Sequence, residues 1–321
     1  MAVKVEAVEL TFSEKVNRFY TGQIKFWRRV NKTRLAGFGI GTTIFTILLA
    51  VFADIISPYD PFFQDYAVVL NGPSWMNYQY TDIGQLLQQI FVYKQHWMGV
   101  DDLGRDIMAR IIHGSRVSLE VGIVAVGVGA GAGVALGLIA GWFSGLADEI
   151  IMRAMDAVWS FPALVLALAI TAALGPSIGN AMIAIGVTLM PYFSRLTRGS
   201  ALSIRERDFV MAGRVIGASD VRMIFLYILP NALAPVIVQA SLNIAGAILT
   251  EASLSFLGLG VRPPTPSWGG MLRVGYQYME VAPWLAMFPG IAIFVVVLGF
   301  NFFGDGLRMA LDPRLWQRGT A

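Results

Sequence analysis

Charged segments in this chain alternate with long stretches that hold no charged residue at all. Leu35 to Ala53 is 19 residues without a charge, Val121 to Ala147 is 27, and Ala157 to Ser194 is 38. Met223 to Thr250 adds 28 and Val281 to Gly304 adds 24. A helix needs about 20 apolar residues to cross the hydrocarbon of a bilayer, so every run predicts at least one span. The longest run has room for two, and Gly175-Pro176 near its middle supplies a turn. The pattern predicts an all-α membrane protein with six transmembrane helices. A soluble core helix would show a polar residue at every third or fourth position, and these runs do not. They are also continuous rather than alternating, which argues against a β-barrel.

Composition agrees with that solvent. Hydrophobic residues make up 56% of the 321 positions and charged ones only 14%, with a mean hydropathy of +0.62. A soluble domain carries about 25% charged residues. The net charge of +3 gives no reason to expect a nucleic-acid partner. There is no cysteine, which excludes disulfides, thiolate metal sites and cysteine nucleophiles.

Basic residues set the expected orientation. Eight lie in the first 34 residues, six between Arg195 and Arg222, one at Arg153, and three at Arg308, Arg314 and Arg318. With alternating spans these 18 of 24 share one side, so both termini are expected in the cytoplasm. The expected layout is a cytoplasmic segment (1–34), a first span (35–57) and an external loop (58–115). A five-helix core (116–305) follows, with a cytoplasmic loop at 195–230, and then a cytoplasmic tail (306–321). No small-residue cleavage site follows the first apolar run, so a removable signal peptide is not expected. Within the external loop, 83–93 is expected to form one short helix.

The chain shows no catalytic constellation and no cofactor site of its own. A P-loop needs a lysine after glycine to hold phosphates, yet all five lysines lie at or before Lys94 and none follows a glycine. The run from Gly127 to Ala132 fits the loose dinucleotide pattern but has no preceding strand or downstream acid. Gly129, Gly133, Gly137 and Gly141 recur every fourth residue and form a small-residue ridge for close helix packing, within the chain or at a subunit interface. Asp156, near the cytoplasmic end of the third span, and Glu251, after the uncharged run of the fifth, are the candidate intramembrane acids. Each is a proton site, a cap or an arginine partner, and a proton role would make the chain an ion-coupled carrier. His96 and His113 are 17 residues apart without ligand spacing. The outer aromatics Trp75, Tyr78, Tyr80, Trp97 and Trp268 suit interfacial anchoring, loop packing or a partner's surface.

The loop from Arg195 to Pro230 carries most of the information. Glu206 to Ile216 mixes charges with Phe209, Val210, Met211, Ala212, Val215 and Ile216, an amphipathic helical stretch. Gly217 stands where a left-handed residue would end it. Ala218 follows, and Ser219 or Asp220 can cap a second helix running to Leu229, with Pro230-Asn231 interrupting it at the membrane entry. A helix, a glycine hinge and a second helix make an elbow, suited to a groove on another protein or to the lipid surface.

Ala212, Gly217, Leu229 and Pro230 match the spacing of the cytoplasmic loop signature of bacterial ABC importer permeases. Met211, Gly213 and Tyr227 stand where that signature has glutamate, alanine and isoleucine. Leu249 to Gly260, Pro263 to Gly269, His96 to Asp106, Phe303 to Arg308 and Leu311 to Pro313 also resemble the second permease subunit of dipeptide/oligopeptide importers. The resemblance implies a type I ABC importer permease fold. It implies a heterodimer with a sister permease in the bacterial inner membrane, two cytoplasmic ATPases that bind ATP and Mg, and an external solute-binding protein. The ATPases would grip the elbow, and the transported solute would be a di- or oligopeptide. Related permeases serve nickel chelates, sugars and opines.

Overall fold

A computed structural model of the chain describes residues 34–74 and 96–311. The helix expected at 83–93 lies outside the described residues, as do most of the N-terminal basic residues and Trp75, Tyr78 and Tyr80. Among the described residues the fold is helical, with a single isolated bridge between Val100 and Asp106. Helix α1 spans Arg34–Val51 and a one-turn α2 spans Ala53–Ile56. Helix α3 spans Ile107–Phe143, α4 Gly145–Trp159 and α5 Ala163–Leu174. Helices α6 (Ile178–Arg205) and α7 (Asp208–Val215) precede α8 (Asp220–Phe256), and α9 (Trp268–Gln277) and α10 (Trp284–Leu311) complete the chain.

Among the described residues four helices, α1, α3, α8 and α10, are long and apolar enough to cross a membrane, or five spans if α4 and α5 count as one. This revises the reading of Ala157–Ser194 as two plain spans. Its first half, α5, has only 12 residues, about 18 Å of helix. It meets α4 at a 90° bend, where Pro162 enters as the residue before α5. Gly175 at φ +88 then turns the chain, and Ser177 caps α6 by accepting from Asn180 N at 3.1 Å. Helix α6 has 28 residues, but Arg195, Arg198 and Arg205 occupy its second half. Two of these arginines lash α4 to it: Arg195 pairs with Asp156 and Arg198 with Asp148, each at 2.5 Å.

Helix α3 is the central strut. At 37 residues it is about 55 Å long. Its residues enter three apolar clusters: Leu119 packs with Ile248, Trp268 and Phe300, Val121 with Ile185 and Phe193, and Leu138 and Trp142 with Val210, Met223 and Ile228. The four-residue glycine ridge faces α6. A Cβ on Gly129, Gly133, Gly137 or Gly141 would lie 2.7, 2.7, 2.9 and 2.6 Å from the Cβ atoms of Leu189, Phe193, Thr197 and Ala201. Those partners also recur every fourth residue, so two matched ridges interdigitate. Only glycine allows this approach, and the packing is within the chain.

Candidate functional site

The elbow is built at the end of the bundle where α3 and α6 terminate. Helix α6 ends at Arg205, whose guanidinium donates to the carbonyls of Gly141 and Trp142 and to Ser144 Oγ at 3.3, 3.2 and 2.5 Å. That contact satisfies carbonyls left open at the end of α3. After two intervening residues α7 begins at Asp208, an acid in the first turn where the helix dipole favours it.

Helix α7 stops by a complete Schellman motif. Gly217 N donates to Arg214 O at 3.0 Å and Ala218 N to Gly213 O at 3.1 Å, with Gly217 at φ +78. Ser219 takes the residue before α8, in an extended conformation, but its side chain makes no cap bond. Asp220 instead accepts from Trp142 Nε1 at 3.0 Å, and Arg214 lies over the Trp142 ring at 4.6 Å. Trp142 thus ties both arms of the elbow to α3.

The second helix does not stop at Pro230, contrary to the sequence expectation. Met223–Ile228 widens into a π turn, and the helix continues through Leu229 and Pro230 to Phe256. Proline has no N–H to return to the preceding turn. Widening that turn lets the helix carry Pro230 near its start without breaking.

The inner side of the elbow is packed and the outer side is bare. Val210, Met223 and Ile228 are fully buried against Ile204, Ala201 and Leu138. Gly213 is buried with its Cβ position 2.9 Å from Met223 Sδ. The glycine that replaces the signature's alanine is therefore matched to that thioether. Outside, Val215 is 86% exposed and Ile216 78%, beside exposed Phe209, Met211, Val221, Phe225 and Leu226. Ala212 is exposed, and Phe209 stacks on Tyr227 with centroids 6.5 Å apart. An apolar surface of this kind, on a rigid base and next to Arg207, Arg214 and Arg222, has the character of a docking face.

At the other end of the bundle, His96 to Asp106 forms a clamp. Asp101 is buried and accepts from Leu103 N, Arg105 N and Arg105 Nε at 2.9, 2.9 and 2.7 Å. Asp106 caps α3 through Ala109 N and also takes His96 Nδ1 at 2.9 Å. Arg110, on α3, donates to Pro61 O at 3.0 Å and Pro264 O at 3.4 Å and lies 3.6 Å from Asp101, joining three separate loops. Burial first, and the charge of Asp106 second, raise the Tyr59 phenol to about 12, so it stays protonated beside His96. Burial and the neighbouring Asp101 raise the Asp102 carboxyl.

The remaining candidates fall apart from one another. Asp156 holds Arg195, while Glu251 is buried and accepts from Ser255 Oγ at 2.6 Å. His113 binds the Ala109 carbonyl and Asp54. No cluster of three metal-ligating residues occurs among the described residues. Trp268 is buried and donates to Ile111 O at 3.0 Å, so it belongs to packing rather than to an outer surface. Sequence reasoning missed Trp142, Arg205 and Met223. Trp142 lies inside an uncharged run and Arg205 sits among many arginines, so neither stands out before the ends of α3 and α6 meet.

Comparison with known proteins gives this architecture its relatives. Residues 133–317 match the family described as binding-protein-dependent transport system inner membrane component. Residues 24–73 match the N-terminal transmembrane domain of oligopeptide transport permease C. A dipeptide transport system permease protein of Alkalihalophilus pseudofirmus is 43% identical over 90% of this chain and 89% of its own length. A di/tripeptide permease of Pseudomonas aeruginosa is 42% identical over 91% and 92%. A glutathione transport system permease of Escherichia coli is 42% identical over 91% and 90%. The inward-facing MetNI methionine ABC transporter shares the fold at a TM-score of 0.52 and 18% identity, covering 64% of this chain and 98% of its own.

Proposed function

The chain belongs to the binding-protein-dependent transport inner-membrane family, and from that premise we propose that it imports short peptides as one of two permeases. It is a multi-pass permease subunit of an ABC importer. The peptide reading rests on relatives named for dipeptides, di/tripeptides and glutathione at 42–43% identity over nine-tenths of the chain. Six crossings complete the reading if α4–α5 and α6 each count as one, with both termini and the elbow in the cytoplasm. A sister permease pairs with this chain, and an external binding protein delivers the peptide.

The observation that carries the coupling mechanism is the bare apolar elbow on a packed base. Two ATPases bind and hydrolyse ATP with Mg outside this chain. One grips Phe209, Met211, Val215 and Ile216 in an apolar groove. Closure of the ATPase pair moves the elbow as a body, because the Schellman turn, Trp142 and the Val210–Met223 contact leave it no internal slack. Helices α3 and α8 receive that motion directly, and the pathway opens outward. Arg207, Arg214 and Arg222 complement acidic groups at the rim of the groove.

The test is uptake of a labelled dipeptide by the complete complex in proteoliposomes. Uptake requires both ATP inside and loaded binding protein outside. Solute movement by this chain alone, driven by an ion gradient without ATPases, would overturn the reading in favour of a carrier.

A further inference from the structure

We infer that a polar seam on α6 and α8 lines the water-filled path through which the peptide passes, with Tyr192 and Gln239 at its centre. The inference deepens the importer reading and rests on it.

The outward face of α6 is unlike a lipid face. Thr188, Tyr192, Arg195, Gly199 and Ser203 follow one another at spacings of four, three, four and four, which places them on one side of the helix. All are exposed or half-buried, and none is aliphatic beyond the threonine methyl. On α8, Gln239, Asn243, Gly246 and Thr250 recur in the same way. Tyr192 Oη donates to Gln239 Oε1 at 3.3 Å and joins the two stripes near the middle of both helices.

The same molecule supplies the contrast. Helix α1 turns Leu35, Phe38, Phe45, Leu48 and Val51 outward, and α10 turns Met287, Ile291 and Phe294 outward. Those are faces made for acyl chains. A polar or charged group facing hydrocarbon is costly, so such groups within spans face a bundle interior or water.

The seam continues toward the elbow end of the bundle. The Trp159 ring stacks on Tyr192 at 5.9 Å, and Arg195 lies over it at 4.1 Å while pairing with Asp156. The side chains of that ion pair are 42% and 55% exposed, which lipid would not tolerate. A cavity of about 410 Å³ opens beside them, lined by Trp159, Phe161, Pro162, Thr188 and Tyr192 among others. Hydroxyl and amide groups that both donate and accept suit the backbone of a peptide of any sequence.

The absence of cysteine makes the test direct. Thr188→Cys, Tyr192→Cys and Gln239→Cys, made singly in the complete reconstituted complex, are exposed to a membrane-impermeant methanethiosulfonate, and modification is read on this chain. Phe45→Cys and Phe294→Cys serve as lipid-facing controls. The expected result is modification at least tenfold faster than the controls in one nucleotide state, with the rate changing between ATP-free and vanadate-trapped complex. Modification no faster than the controls in every state would overturn the inference, and so would protection in every state from both this reagent and lipid-soluble N-ethylmaleimide. That second pattern would place the seam against the sister permease. Three positions are used so that a variant failing to assemble leaves two others. Dipeptide uptake by the unsubstituted complex is measured alongside, so failure of the seam is distinct from failure of the importer reading.

Discussion

Replacing Gly217 by valine isolates the backbone contribution of the elbow. Gly217 holds φ at +78, and a Cβ there would meet no atom within 4 Å. The substitution therefore creates no clash with neighbours, and its cost is conformational. A left-handed backbone costs an L-residue about 1–2 kcal/mol, and a β-branched side chain lies at the unfavourable end of that range. One or two kcal/mol changes a two-state population by a factor of roughly 5–30. The bonds from Gly217 N and Ala218 N to α7 are what the strain would break. In the reconstituted complex, ATP hydrolysis is expected to persist while peptide taken up per ATP falls by roughly that factor. Gly217→Asn, which tolerates the left-handed region, should retain most of the coupling. Unaltered coupling in Gly217→Val, or equal damage from asparagine and valine, would refute the argument.

Three further outcomes follow from other parts of the molecule. Gly133→Val should separate α3 from α6, because its Cβ would lie 2.7 Å from both Met190 O and Phe193 Cβ. The overpacking should cost about 1–3 kcal/mol, read as a lower melting temperature of the detergent-solubilised complex. Trp142→Phe keeps a ring for Arg214 but deletes the donor to Asp220. A loss of about 1.5–3 kcal/mol for a bond to a charged group should lower the thermal stability of the complex and partly uncouple transport. Asp102→Asn should stabilise the outer clamp at neutral pH. Folding raises that carboxyl through burial and Asp101, so the charged form is penalised above the folded-state value. The penalty is relieved as pH falls through the raised value, and the advantage of asparagine should vanish in acid. Melting curves across that range check the sign.

Much of this was legible because membrane spans report themselves through charge. The four apolar helices, the ridge from Gly129 to Gly141 and the turn at Gly175 follow from run length, small-residue spacing and the backbone needs of glycine. Gly217 was equally visible, since a glycine after an amphipathic stretch has few other uses. Pro230 misled, because a proline signals a break only where the preceding turn cannot widen. The 90° bend between α4 and α5 was also hidden. Pro162 marks a break there, but the uncharged run continues through it, and the ion pairs that seat α4 on α6, Asp156 with Arg195 and Asp148 with Arg198, join residues 39 and 50 positions apart.

The sequence by itself determined the solvent, the helical class and the absence of a Walker-type lysine, because each depends on composition or local spacing. The tertiary structure decided what those elements do to one another. It put Trp142 beneath both arms of the elbow, turned the His96–Asp106 segment into a clamp across three loops, and separated the apolar outward faces of α1 and α10 from the polar stripes on α6 and α8. Those assignments depend on which residues meet at sequence separations of tens to more than a hundred positions. A one-dimensional pattern holds the chemistry of each partner but not their pairing.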